Sequence, residues 1–125
     1  MKSVLLPYPS SLLNPNRKAN RHVKAKIFKK TKSKAYEIAM QSGLQGIQQR
    51  KIRLLFSPPD KRRRDIDNML ASMKASLDGI ALAIGCDDVE FCPVILDRAP
   101  PVKGGSVLVE FYESNEQNQR GKATP

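Results

Sequence analysis

A chain of 125 residues, 40% of them hydrophobic, carries enough apolar material for one modest core and too little for several. Its 22 lysines and arginines against 12 acids leave a net charge of +10 and a pI near 9.9, which directs attention to polyanionic partners without specifying a fold. Two cysteines, Cys86 and Cys92, six apart with no second pair and no matching histidine, indicate neither a disulfide framework nor a zinc site and fit free thiols in a reducing compartment.

In chain order, Ser3 to Leu6 is a short apolar run that Pro7 and Pro9 end, and it reads as a first strand followed by a turn-rich loop through Asn14-Pro15-Asn16. The apolar start is too short for a signal peptide, and no later run is long enough to span a bilayer, so a soluble, cytoplasmic protein is expected. Arg17 to Lys34 holds nine cations and no acid, with few large apolar residues. This predicts a surface arm, partly mobile, that contacts phosphates and has no core role. His22 falls inside it without an acidic or cysteine neighbour and reads as a polar contact, since a general base needs an orienting partner.

From Ser33, a plausible N-cap, Tyr36, Ala39, Met40, Gly43, Leu44 and Ile47 recur at helical spacing and predict a first helix that packs on the core. Lys51 to Phe56 alternates and predicts a strand with one face buried, which Ser57-Pro58-Pro59 stops. The stripe of Ile66, Met69, Leu70, Met73, Leu77, Ile80, Ala81 and Ile84 predicts a second helix, with Gly85 at its end. Asp67, Lys74 and Asp78 fall on one edge of that helix at spacings of seven and four. Val89 to Leu96 reads as a strand whose Pro93 marks an edge or bulge, and Ser106 to Tyr112 as a last strand, the two pairing as a hairpin across Ala99 to Gly105. The polar tail at 114–125 is expected to be disordered. The element order predicts one small α+β domain over residues 1–113, a mixed sheet of about four strands with two helices packed on it.

Charge is concentrated where the central strand gives way to the second helix, in Asp60-Lys61-Arg62-Arg63-Arg64-Asp65-Ile66-Asp67-Asn68. Cations beside clustered carboxylates suit a metal-dependent enzyme acting on a polyanion, in which the cations hold phosphates and the carboxylates hold a hard metal ion. Structural roles compete with each assignment: Asp65 as a helix cap, and Arg62 to Arg64 as surface ion pairs of little energetic consequence.

The run Lys51-Ile52-Arg53, then Pro59 to Asn68, then Asp87-Asp88, resembles the RusA family of Holliday junction resolvases. Leu6-Pro7-Tyr8-Pro9 is similar to that family's opening, and Lys103-Gly104-Gly105 to the segment before its last strand. The resemblance implies a homodimeric, Mg²⁺-dependent endonuclease, with Mn²⁺ able to substitute, that nicks opposed strands at a four-way DNA junction. It implies Asp65, Asp67 and Asp88 as metal ligands and catalytic carboxylates, with Asp88 preferred to Asp87, and Lys74 as the catalytic lysine. The family's lysine position falls on Ala71 here, and Lys74 stands about one helical turn further on, four residues before Asp78. Arg17, Lys18, Arg21, Lys61, Arg62, Arg63, Arg64 and Asn68 are the expected DNA contacts. The alternatives are a non-catalytic basic nucleic-acid-binding module and a nuclease for other branched DNA.

Overall fold

The computed structural model describes residues 2–113. Its elements are β1 (Lys2–Pro7), α1 (Arg21–Gln41), β2 (Lys51–Ser57), α2 (Ile66–Ala71), α3 (Lys74–Ile84), β3 (Val94–Arg98) and β4 (Ser106–Tyr112), with short 3-10 turns at Ser11–Leu13 and Asp88–Glu90. The sheet has the order β1-β4-β2-β3, with β2 and β3 parallel and the other neighbours antiparallel. The fold is therefore α+β, a four-stranded mixed sheet carrying two substantial helices.

Alternation decides which side of the sheet is covered. Val4 and Leu6 of β1, Ile52, Leu54 and Phe56 of β2, and Val107, Val109 and Phe111 of β4 are all buried and point to one face, where they meet Ala35, Ala39, Ile80 and Ile84 of the helices. On the opposite face Arg53 holds the sheet together by charge. Its guanidinium meets Asp97 of β3 at 2.7 Å and Glu110 of β4 at 2.5 Å.

The basic arm expected between Arg17 and Lys34 is not an arm. From Arg21 onward it is the first part of α1, a helix of 21 residues, about 30 Å long. The start is fixed at Asn20, whose side chain accepts the His22 amide at 2.7 Å, and Ser33 lies inside the helix instead of capping it. A bulky apolar stripe is unnecessary because the contact with α3 is made through small residues. A Cβ on Gly79 would lie 2.3 Å from the Lys32 carbonyl oxygen and 3.0 Å from the Ala35 Cβ, so the two backbones nearly touch. The helix also ends earlier than Ile47. Gly43 takes a left-handed φ of +76° just past the C-cap Ser42, and the Leu44 amide turns back to the Ala39 carbonyl at 3.1 Å.

The second predicted helix is two. It breaks at Ser72 and Met73, where the Met73 amide bonds back to Leu70 and the Ser72 hydroxyl donates to the Met69 carbonyl at 2.7 Å. The break shifts the phase of the apolar stripe. Met69, Met73, Ile80 and Ile84 are buried, whereas Ile66 and Leu70 are exposed.

The expected β3–β4 hairpin does not form. The Ala99 amide donates to the Phe56 carbonyl at 2.8 Å and the Val102 amide to the Pro58 carbonyl at 2.9 Å, so the connection crosses the end of β2 and delivers β4 to its far side. With three large side chains fully buried, β4 takes the central place between β1 and β2, and short β3 is left at the edge. Strand pairing in β3 begins at Val94, after Pro93, and Asp88 to Glu90 is a 3-10 turn. The expected tail at 114–125 lies outside the described residues.

Candidate nucleic-acid interface

Where β2 ends, Pro58 and Pro59 turn the chain away from the sheet, and the charged run Asp60 to Asn68 forms one wall of an open cleft of about 410 Å³. Arg62, Arg63, Arg64, Asp65 and Asn68 line it on this side, and Ser10, Ser11 and Asn14 from the loop after β1 line the other. The two walls meet at Tyr8. Gly105, at φ +71°, fixes that meeting point, because a Cβ there would fall 2.8 Å from the Tyr8 Cβ and 3.0 Å from the Pro59 Cδ.

The three arginines, alike in sequence, do different things. Arg64 is 20% exposed and acts as a strut. It pairs with the Asp60 carboxylate at 2.9 Å, donates to the Asp60 and Arg62 carbonyls, and lies over the Tyr8 ring at 5.6 Å. Arg62 is 82% exposed and forks onto the same Asp60 carboxylate at 3.0 and 3.2 Å. Arg63 is 93% exposed, with Asp65 no nearer than 3.8 Å, and is the most available to a ligand. Asp60, at the hub, has its carboxyl held well below the usual carboxylate range by the Arg62 side chain first and then by the Arg62 amide. Its role as organiser of the run was not read from the sequence, nor was that of Arg98, which donates to the Arg64 carbonyl at 2.9 Å. An Asp two residues before an arginine in a proline-initiated turn is the signal that could have shown it.

Of the other expected DNA contacts, Lys61 is exposed in the same run, Arg17 and Lys18 are exposed just before α1, and Arg21 opens α1. None of these lines the cleft. His22 is exposed in the first turn of α1.

The carboxylates fall into two sets. Asp65 lines the cleft. It occupies the N-cap position of α2, where its carbonyl receives the Met69 amide, but its side chain makes no capping bond, so a cap does not account for this residue. Asp67 is exposed in the first turn of α2. Asp88 stands elsewhere, with Lys74. The Lys74 ammonium donates to Asp78 at 2.8 Å and to Asp88 at 2.6 Å, and these two acids line a separate groove of about 310 Å³ with Lys32, Cys86 and Asp87. Asp87 is spoken for as a cap: its carboxylate accepts the Val89 amide, while Glu90 accepts the Asp87 amide. Of the neighbouring pair, Asp88 is thus the one that reaches Lys74.

These contacts set the protonation states. Hydrogen bonds to Asp78 first and Asp88 second hold the Lys74 ammonium above its ordinary range, and Lys74 in turn lowers the Asp88 carboxyl. At neutral pH Lys74 is a cation that can offset negative charge, not a base that can accept a proton.

The implied metal site is not assembled by this arrangement. Among the described residues no three His, Cys, Asp or Glu side chains gather to hold a metal ion. The acids that do approach each other, Asp78 and Asp88, already share the Lys74 ammonium, and Asp65 and Asp67 lie outside that contact. Of the edge of Asp67, Lys74 and Asp78 read from the helical period, the structure shows the contact between Lys74 and Asp78; Asp67 stands on α2, before the break at Ser72 and Met73.

The fold and the site define a small α+β protein that presents a cationic cleft beside a separate cluster in which a lysine is buttressed by two acids. No protein-family model matches the chain. An uncharacterized protein of Xylella fastidiosa is 32% identical over 128 residues, a match covering 97% of this chain and 82% of that protein, and the chain belongs to the same family as that protein. Among the described residues no helix is long and apolar enough to cross a membrane.

Proposed function

We propose that the chain is a structure-selective endodeoxyribonuclease that acts on branched DNA, with the four-way junction as substrate and a homodimer as the working form. The observation that carries this reading is the cleft itself: Arg62, Arg63, Asp65 and Asn68, all from the run that resembles the RusA family, line one open cavity sized for a segment of phosphodiester backbone. Arg62 and Arg63 would hold the phosphates that flank the cut, Asn68 would hydrogen-bond the strand, and Arg64 would keep the wall in place from behind. Lys74, charged and anchored by Asp78 and Asp88, would offset charge that builds on the phosphoryl oxygens. Magnesium enters this reading from the resemblance alone, as the hard cation that carboxylates serve in phosphodiester hydrolysis. The resemblance gives it Asp65, Asp67 and Asp88 as ligands, acids that are not gathered at one point among the described residues, so no step is routed through it here. The homodimer follows from need, since cutting a junction without leaving a gap takes two symmetric sites.

One specific observation favours a second reading. Asp88 is satisfied by Lys74 and not by a metal-like arrangement of acids, as it would be in a basic module that binds nucleic acid without cutting it. A labelled synthetic four-way junction incubated with the protein and Mg²⁺ separates the two. Paired nicks at symmetric positions, lost in Asp67→Asn, are the expected outcome; retention of the junction with no nicks in the wild type selects the binding module. Faster cutting of a flap than of a junction moves the substrate to other branched DNA.

A further inference from the structure

A second groove adjoins the arginine cleft and has no part in the proposed function. It lies between the start of the chain and α1, with a volume of about 290 Å³. Leu6, Pro9 and Ile27 give it apolar walls, Thr31 adds a hydroxyl, and the exposed lysines Lys30 and Lys34 stand along it. Tyr8, Pro9 and Ser10 line both this groove and the arginine cleft, so one short chain segment separates an apolar cavity from a cationic one. That segment is held firmly. The Tyr8 ring meets Phe56 edge-on with centroids 6.1 Å apart, Arg64 covers it at 5.6 Å, and Gly105 passes close beside it, where a Cβ would fall 2.8 Å from the Tyr8 Cβ.

The pairing of cavities matches the two parts of an unpaired nucleotide. Proteins that grip unpaired strands join a cationic track for the phosphates to surfaces on which the flat base faces lodge. At about 290 Å³ the groove lies just under the usual size range of small-molecule sites, which suits a single planar ring system better than a folded peptide. Lysines at its rim favour an anionic ligand over a neutral one. We infer that this groove takes one unpaired nucleobase of the strand whose phosphates lie in the Arg62 to Arg64 cleft. A base entering it would be unpaired and swung out of the stack at the branch point, and the inference rests on the nucleic-acid reading of that cleft.

The test compares two single-stranded probes of equal length and charge, oligothymidylate and an abasic oligomer of tetrahydrofuran phosphates, binding to the full chain at low salt. A base lodged in the groove gives the wild type a preference of about 5- to 100-fold for thymidylate, and Thr31→Phe, which puts a ring into the groove, abolishes it while abasic binding stays as in the wild type. Equal affinities in the wild type overturn the inference and leave the cationic cleft standing. A preference that survives Thr31→Phe unchanged places the base elsewhere and overturns it too. Binding of neither probe overturns the inference, and a gel shift with the four-way junction then decides on the nucleic-acid reading separately. The natural chain contains no tryptophan, so Ile27→Trp adds an independent reporter inside the groove. Its fluorescence is expected to be quenched by thymidylate and unaffected by the abasic oligomer; an equal response to both contradicts the inference even if Thr31→Phe does not fold.

Discussion

The arginine cleft and the Lys74 cluster come from one short stretch of sequence and use charge in opposite ways. In the cleft, Arg62 and Arg63 project outward and a single acid, Asp60, organises the run from beneath. In the cluster, one half-exposed lysine is held between two carboxylates, which offset its charge locally. Exposed, under-compensated cations attract a polyanion and make its binding depend on salt. A lysine satisfied on both sides contributes little to long-range attraction and instead holds a fixed local charge.

The contrast is broken most severely by removing the glycine that builds the cleft. Gly105→Val forces a β-branched residue into a left-handed backbone and drives its side chain against Tyr8 and Pro59. Unfolding in denaturant should show a loss of about 2 kcal/mol or more, and junction affinity should fall with it, while the contacts of Lys74 with Asp78 and Asp88 persist. Next in size is the Arg62→Ala, Arg63→Ala double variant. Gel-shift titrations over a range of salt should give affinity about tenfold lower at low salt and a log–log slope shallower by about two, with stability within ~0.5 kcal/mol of the wild type. Arg64→Ala should differ in kind, losing about 1 kcal/mol of stability as well as binding, because it removes the strut over Tyr8.

The smallest effect belongs to the cluster. Lys74 lowers the Asp88 carboxyl, so the ionised form of Asp88 adds stability above the unfolded carboxylate range near pH ~3.9, and that contribution fades as the pH falls through the lower folded value. Both partners are partly exposed, which limits the contribution to ~1 kcal/mol or less. In Lys74→Met, an NMR titration should show the Asp88 carboxyl moving up toward its ordinary value and a smaller loss of stability between neutral pH and pH 3. An unchanged Asp88 titration would dissolve the cluster.

What the sequence disclosed depended on whether a signal was local. The alternations of β2 and β4 stated both strands and their buried faces, and Pro58 and Pro59 stated where β2 ends. The order of the sheet was not local: adjacency in sequence suggested β3 beside β4, and the bonds from Ala99 and Val102 to the end of β2 decided otherwise. The length of α1 was hidden because its packing relies on Gly79 and small residues, not on an apolar stripe. Asn20 as cap and the lack of any glycine or proline from Arg17 to Ser42 were the available clues. The break at Ser72 and Met73 has no such marker. At the candidate site the cations were legible as a group. Their division into a strut and two outward arms was not, since it depends on Asp60 and Tyr8 meeting them in space.

The most direct measurement follows binding and strand cutting together, on one labelled junction with Mg²⁺, for the wild type, Asp65→Asn and Asp67→Asn. Nicking by the wild type, lost in both variants while the junction is held as tightly or more tightly, is the predicted result, because each change removes negative charge beside the phosphates without touching the arginines. Cutting that persists in proportion to occupancy, or a wild type that holds the junction and never nicks it, contradicts the nuclease assignment.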